Sequence, residues 1–240
     1  MLNRGSLAVV TGAGSGIGRA VVLALAGRGV PCCLVGRTLG KLQEVAQLAT
    51  QAGVESIPIA LDLCASDVGA TLAERLRSFG RPIELLVHSA AVMSLSRVED
   101  ATVEQFIKLL TVNLIAPFSV TKHLLPELCA SRGQIVFVNS SVVQNPSAGT
   151  AQYAASKHAL KGFADALRQE VNAKGVRVIS VYPGRTATPL QASLCTVEGR
   201  AYLPEKLLQP EDIAEVVMNT IALPQTAEVT EIMIRPAVKS

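Results

Sequence analysis

The chain is poor in charge, aromatic side chains and histidine. Of its 240 residues, 17% are charged and 3% aromatic, and the formal net charge is only +3. No run of Lys or Arg occurs. A nucleic-acid reader needs a clustered basic face, and aromatics for stacking if it binds single strands, so the composition argues against nucleic acid. The histidines His88, His123 and His158 are not spaced with another ligand as a zinc site requires, so no transition metal is expected. The cysteines Cys32, Cys33, Cys64, Cys129 and Cys195 are odd in number and form no C-x-x-C pair. They read as thiols of a reducing compartment. No signal-peptide pattern precedes the first apolar strand, and apolar runs fall well short of the ~20 residues that span a bilayer. The expectation is a cytoplasmic chain with no membrane partner.

What the chain has is apolar material: 49% hydrophobic residues, enough for a large core and well outside the disordered range. The length suits one α/β domain over 1–240. Short β-branched runs alternate with longer helical patterns. Strands are predicted at 7–11, 30–35, 54–60, 83–87, 134–138, 176–182 and 229–234. Helices are predicted at 17–28, 39–52, 66–79, 102–130, 152–174 and 210–223. Pro58 weakens the third strand. Thr38 reads as a helix cap, Thr102 and Gln105 as a capping box, and Pro117 as the bend of the long fourth helix. The alternation predicts an α/β fold, a Rossmann-type doubly wound parallel sheet of about seven strands with helices on both faces. The least regular stretch, 186–208, is long enough to suggest a substrate loop.

Four glycines crowd Thr11-Gly-Ala-Gly-Ser-Gly-Ile-Gly18, between the first strand and the first helix. Gly12 permits a tight turn, Gly16 lets backbone approach a pyrophosphate, and Gly18 lets the helix pack near the strand. The helix N-terminus offers free N–H groups to phosphate, so Ser15 and Ile17 join these glycines as expected cofactor contacts. The spacing T-G-x-x-x-G-x-G resembles the glycine motif of the short-chain dehydrogenase/reductase family. Strand two ends in Gly36-Arg37-Thr38, without the acid that would favour NAD. Arg37 can face a 2′-phosphate with its planar fork, with Thr38 or Lys41 adding a contact, so NADP(H) is the expected cofactor. The alternative is a solvated surface arginine. The resemblance places Asp62 and Leu63 beside the adenine, although Asp62 also suits a helix cap or turn.

Tyr153 and Lys157 lie four apart in a helical segment and so share a face. They match the family's Y-x-x-x-K and follow Asn139-Ser140-Ser141 at the carboxyl end of strand five, where an open α/β sheet binds ligands. Tyr153 is the expected general acid in reduction and base in oxidation. Lys157 would lower the tyrosine pKa and, by resemblance, hold the nicotinamide ribose. Ser140 would donate to the substrate oxygen, with Ser141 as the alternative. Asn113 occupies the context of the family's fourth catalytic residue, which supports a water beside the lysine; it also suits an asparagine serving a helix kink near Pro117. Where the family has Asn-Ala-Gly after strand four, this chain has Ser89-Ala90-Ala91. Ser89 and Ala90 can still wall a ribose. Pro183-Gly184 with Thr186 and Thr188 resembles the segment that holds the carboxamide; Arg185 has no role by resemblance.

Val92, Met93, Val142, Pro146, Leu190, Leu194, Val197, Tyr202 and Leu203 suggest an apolar pocket for a ketone or aldehyde, or the corresponding alcohol. Core packing or subunit contact explains several of them equally well. Arg185 and Arg200 leave an anionic substrate open. A 3-oxoacyl-thioester reductase is the alternative enzyme, and an NADP-binding regulator without turnover the alternative of another class. The resemblance further implies a homodimer or homotetramer built on the long apolar helices.

Overall fold

A computed structural model describes Leu2 and residues 4–238. Seven parallel strands form one sheet in the order β3-β2-β1-β4-β5-β6-β7. They are β1 Leu7–Thr11, β2 Cys32–Gly36, β3 Ser56–Ala60, β4 Ile83–His88, β5 Gln134–Val138, β6 Arg177–Pro183 and β7 Glu231–Ile234. The helices are α1 Gly16–Ala26, α2 Leu39–Gln51, α3 Val68–Arg77, α4 Val103–Leu110, α5 Ala116–Ser131, α6 Ala151–Val171, α7 Pro189–Val197 and α8 Pro210–Ile221. The order reverses between β1 and β4, which opens a crevice at their carboxyl ends.

Strand side chains alternate between faces, so each central strand feeds two cores. On one face Ala8, Val10, Leu34, Val87 and Val181 pack under α1, α2 and α8. On the other Leu7, Val9, Val35, Phe137 and Val178 pack under α3, α5 and α6. Cys32 belongs to the first core and Cys33 to the second, so these neighbours point apart. Pro58 is accommodated because β3 is an edge strand, paired only through Leu34 and its neighbours on β2.

Three expectations need correction or refinement. Thr38 precedes α2, but its side chain makes no capping hydrogen bond. The irregularity expected near Pro117 is a π turn, Thr111–Ile115, just before it, and Pro117 then sits in the first turn of α5. The cause is chemical. In an α-helix Pro117 would donate to the Asn113 carbonyl, and proline has no N–H. The turn widens instead, and Ala116 N–H reaches back to Thr111. The Thr102–Gln105 capping box does form. Third, 186–208 is not irregular throughout. Thr188 accepts from Gln191 N–H at 3.2 Å and starts α7, with Pro189 in its first turn.

The helical run Val103–Ser131, with mean hydropathy 1.3 over its most apolar stretch, is long and apolar enough to cross a membrane, contrary to the reading that no run comes close. Its Val120, Leu124 and Leu128 are fully buried in the second core.

Candidate active site

The floor of the site is the switch point. Thr11 Oγ1 accepts from Ser89 and Ala90 N–H at 3.2 and 3.3 Å and donates to the Val87 carbonyl, drawing the exit of β4 under the glycine loop. Contact is so close that a Cβ on Gly12, whose φ is +69°, would lie 2.7 Å from Ala90 backbone. A Cβ on Gly18 would lie 2.4 Å from the Gly12 carbonyl oxygen. Gly16 stands against Thr188. Ser15 precedes α1 without a side-chain cap, and no acid lies in the first turn. The first amides of α1 therefore offer their N–H groups to an anion.

From this loop a cavity of about 460 Å³ runs both ways. Toward β2 it is lined by Arg37, Thr38, Lys41, Asp62 and Leu63. Arg37 is exposed and makes no hydrogen bond or ion pair with a described residue. Asp62 shapes the turn, accepting from Cys64 N–H at 3.0 Å, and also lines the cavity. Toward β5 and β6 the lining includes Ser89, Ala90, Ser140, Tyr153, Pro183, Gly184, Thr186 and Thr188. An uncapped helix end, a close glycine loop and an unpaired guanidinium are the donor set a phosphorylated dinucleotide needs.

The catalytic candidates converge at the carboxyl end of β5. Tyr153 is 6% exposed. Burial pushes its phenol up, and a hydrogen bond with Ser140 opposes this. Ser140 and Ser141 both line the cavity with Tyr153, and Ser140 Oγ accepts from Val142 N–H at 3.2 Å. Lys157 is 1% exposed and donates to the Val138 carbonyl at 3.2 Å. Burial pulls its pKa down to about 8. Its Nζ is 5.9 Å from the centre of the Tyr153 ring.

Asn113, Lys157 and Gly18 are not in the cavity wall but behind it. Asn113 is fully buried in the π turn. It bonds both N–H and C=O of Val92 at 2.9 Å and donates to Ser156 Oγ at 3.1 Å; Ser156 in turn donates to the Tyr153 carbonyl. Its side chain thus serves the β4 exit loop and α6 rather than freed groups of its own helix. Sequence reading gave no role to Thr11, Asn139 or Glu198. Asn139 holds α6 by donating to the Lys157 carbonyl at 3.2 Å. The signal for Thr11 and Asn139 was present, since Thr11 ends β1 and Asn139 directly follows β5, each next to a motif. No local signal marks Glu198, which reaches the cavity only because 186–208 folds back. That stretch is closed at its base by Ala187 N–H to the Leu208 carbonyl at 2.7 Å and Leu208 N–H to the Arg185 carbonyl at 3.1 Å.

The apolar pocket is smaller than expected. Val92, Met93, Val142, Leu190 and Leu194 line the cavity, whereas Pro146, Val197, Tyr202 and Leu203 do not. Val197 is 68% exposed, because it lies on the outer side of α7.

Residues 6–198 match the family model described as short chain dehydrogenase. An uncharacterized oxidoreductase of Staphylococcus epidermidis is 34% identical over 232 residues, 96% of each chain. The alcohol dehydrogenase of the archaeon Thermococcus sibiricus, complexed with 5-hydroxy-NADP, superposes with a TM-score of 0.89 at 26% identity, covering 98% of each chain. A metagenomic short-chain oxidoreductase in complex with NADP does so with a TM-score of 0.84 at 29% identity, again over 98% of each chain. With this match across most of its length, on top of the fold and the Ser-Tyr-Lys cluster, the chain belongs to the short-chain dehydrogenase family.

Proposed function

We propose that this oxidoreductase reduces ketones or aldehydes with NADPH, or oxidises the corresponding alcohols with NADP. The observation that carries the reading is that Ser140 and Tyr153 line the same cavity as the glycine loop and an unpaired Arg37. Arg37 favours the 2′-phosphorylated cofactor by charge and fork geometry, and the two solved neighbours named above carry NADP or its derivative. Gly12, Ser15, Gly16 and Ile17 would cradle the diphosphate at the start of α1, with Asp62 and Leu63 beside the adenine, Ser89 and Ala90 along a ribose, and Pro183, Gly184, Thr186 and Thr188 against the carboxamide.

When bound, the dinucleotide supplies or accepts the hydride. The protein handles the proton. Ser140 donates to the substrate oxygen, where negative charge grows as the carbonyl carbon is reduced. Tyr153 gives its phenolic proton to that oxygen, and takes it back in oxidation. Burial keeps the phenol protonated, which suits reduction. Lys157, buried beside the ring, restrains that rise while it is protonated. Asn113 and Asn139 hold α6, and with it Tyr153 and Lys157, against β4 and β5.

The test is oxidation of NADPH, and separately NADH, over a panel of ketones, aldehydes and one acyl thioester. Turnover preferring NADPH is expected. Tyr153→Phe should lower kcat by about 10²–10⁴-fold while leaving NADPH binding in place. Full activity in that variant would overturn the mechanism, and tight NADPH binding without turnover on any carbonyl would favour a sensing role.

A further inference from the structure

Arg185 and Glu198 both line the cavity that holds Tyr153. The pairing of Val138 with Val181 brings Pro183 beside Ser140, and Arg185 follows two residues later, within about 7 Å of extended chain. Arg185 donates to both Glu198 oxygens at 3.1 and 3.0 Å, and Arg200 Nε shares the same carboxylate at 3.0 Å. Two guanidiniums on one carboxylate leave a net positive cluster. Arg185 has five N–H groups and spends two, so donors remain. Its side chain is 38% exposed and that of Glu198 24%, so the pair is solvent-screened and readily exchanged. The other acid in the cavity wall, Asp62, lies at the far end, toward β2. The apolar side chains Met93, Val142 and Leu194 line the same cavity.

We infer that the substrate is an oxo acid: an apolar carbonyl compound whose carboxylate is held by Arg185, sharing or displacing Glu198. The inference rests on the carbonyl-reductase reading above and adds the chemical class. A cationic substrate is disfavoured because both Glu198 oxygens are already claimed by guanidinium groups. Arg185 is a specificity residue; it takes no part in the proton transfer.

The experiment compares straight-chain oxo acids of increasing length with their methyl esters, using NADPH. At one or more lengths the acid should exceed its ester in kcat/KM by about tenfold or more, chiefly through KM. Arg185→Met should bring that ratio toward one, and Arg185→Lys should retain part of it. Glu198→Gln should raise the ratio, because it removes the competing carboxylate; a fall would mean that Glu198 itself recognises substrate and would overturn the inference. Esters equal to or better than acids at every length would also overturn it, as would an Arg185→Met effect that is the same for both. So would a loss of NADPH affinity in Arg185→Met as large as its loss of acid preference, since the guanidinium would then serve the cofactor diphosphate. If neutral carbonyls turn over without preference for acids, this inference alone falls. If nothing with a carbonyl turns over, the reductase reading falls and takes this one with it.

Discussion

His88 ends β4 buried in the sheet, its ring stacked on Phe137 with 5.0 Å between centroids and Nε2 2.8 Å from Thr121 Oγ1. Burial depresses its pKa from 6.5 to about 3. Between those values the unfolded chain takes up a proton that the folded chain refuses. Stability is therefore intact above about pH 6.5 and falls as pH drops toward 3. Urea unfolding between pH 7 and 4.5 should show this loss, at most about 1.4 kcal/mol per pH unit from this group. His88→Asn should flatten the slope; an unchanged slope would refute the assignment. Arg37 gives a second prediction at this scale. Arg37→Ser should raise KM for NADPH about 10–100-fold and leave KM for NADH nearly unchanged, because only the phosphorylated ribose loses a charge-assisted bond. Equal effects on both cofactors would mean a general role in folding or adenosine binding. Arg37, Tyr153 and Lys157 were legible in the sequence because their meaning depends on position after a strand or on helical spacing. Ser140 and Ser141 could only be ranked, not separated, in the sequence, since two adjacent hydroxyls differ only in the direction of the turn that carries them.

At the scale of elements, a contact of backbone on backbone sets the glycine loop. Alanine at Gly18 would press its Cβ to 2.4 Å from the Gly12 carbonyl, and no rotamer relieves a clash at Cβ. Gly18→Ala should weaken NADPH binding at least about tenfold and lower Tm by several degrees. Gly162→Ala is the control: it lies in α6 with nothing near its would-be Cβ, and should gain up to about 1 kcal/mol from helix propensity. Similar losses in both variants, measured by thermal melts and cofactor titration, would discredit the close-contact account. The number, order and type of most elements were readable, because short strands of four to seven residues alternate with amphipathic helices. Two features were not. The π turn at Asn113 needs the missing N–H of Pro117 together with the side-chain bonds to Val92 and Ser156, which come from elsewhere in the chain. Helix α7 carries its cap in plain sight at Thr188-Pro189, yet its mixed pattern reads as loop when nothing says which side is covered.

At the scale of the whole molecule, one sheet joins two cores, and the two cysteines of β2 report one on each. Cys32 and Cys33 are both fully buried, and burial pushes both thiols up, Cys33 to about 12. Cys64 is exposed. A thiol reagent at neutral pH should therefore modify Cys64 quickly. Cys32 and Cys33, followed in single-cysteine variants, should react slowly and at the same rate, set by global unfolding. A faster Cys33 would show that the α3, α5 and α6 layer opens on its own. The same reasoning explains why vicinal cysteines here cannot form a redox pair: adjacent strand residues face opposite ways.

By itself the sequence determined the alternating α/β architecture, the glycine loop, the basic residue after β2, and the Tyr153–Lys157 pair. Each of these is a local pattern, set by periodicity, by glycine, or by spacing along one helix. Only the tertiary structure decided which groups meet across elements: Thr11 beneath the β4 exit, Asn113 between Val92 and Ser156, and Arg185 with Glu198 in the cavity wall. Such contacts depend on the path of the chain after strands β4, β5 and β6, where backbone bonds between residues far apart, not propensity, settle the geometry.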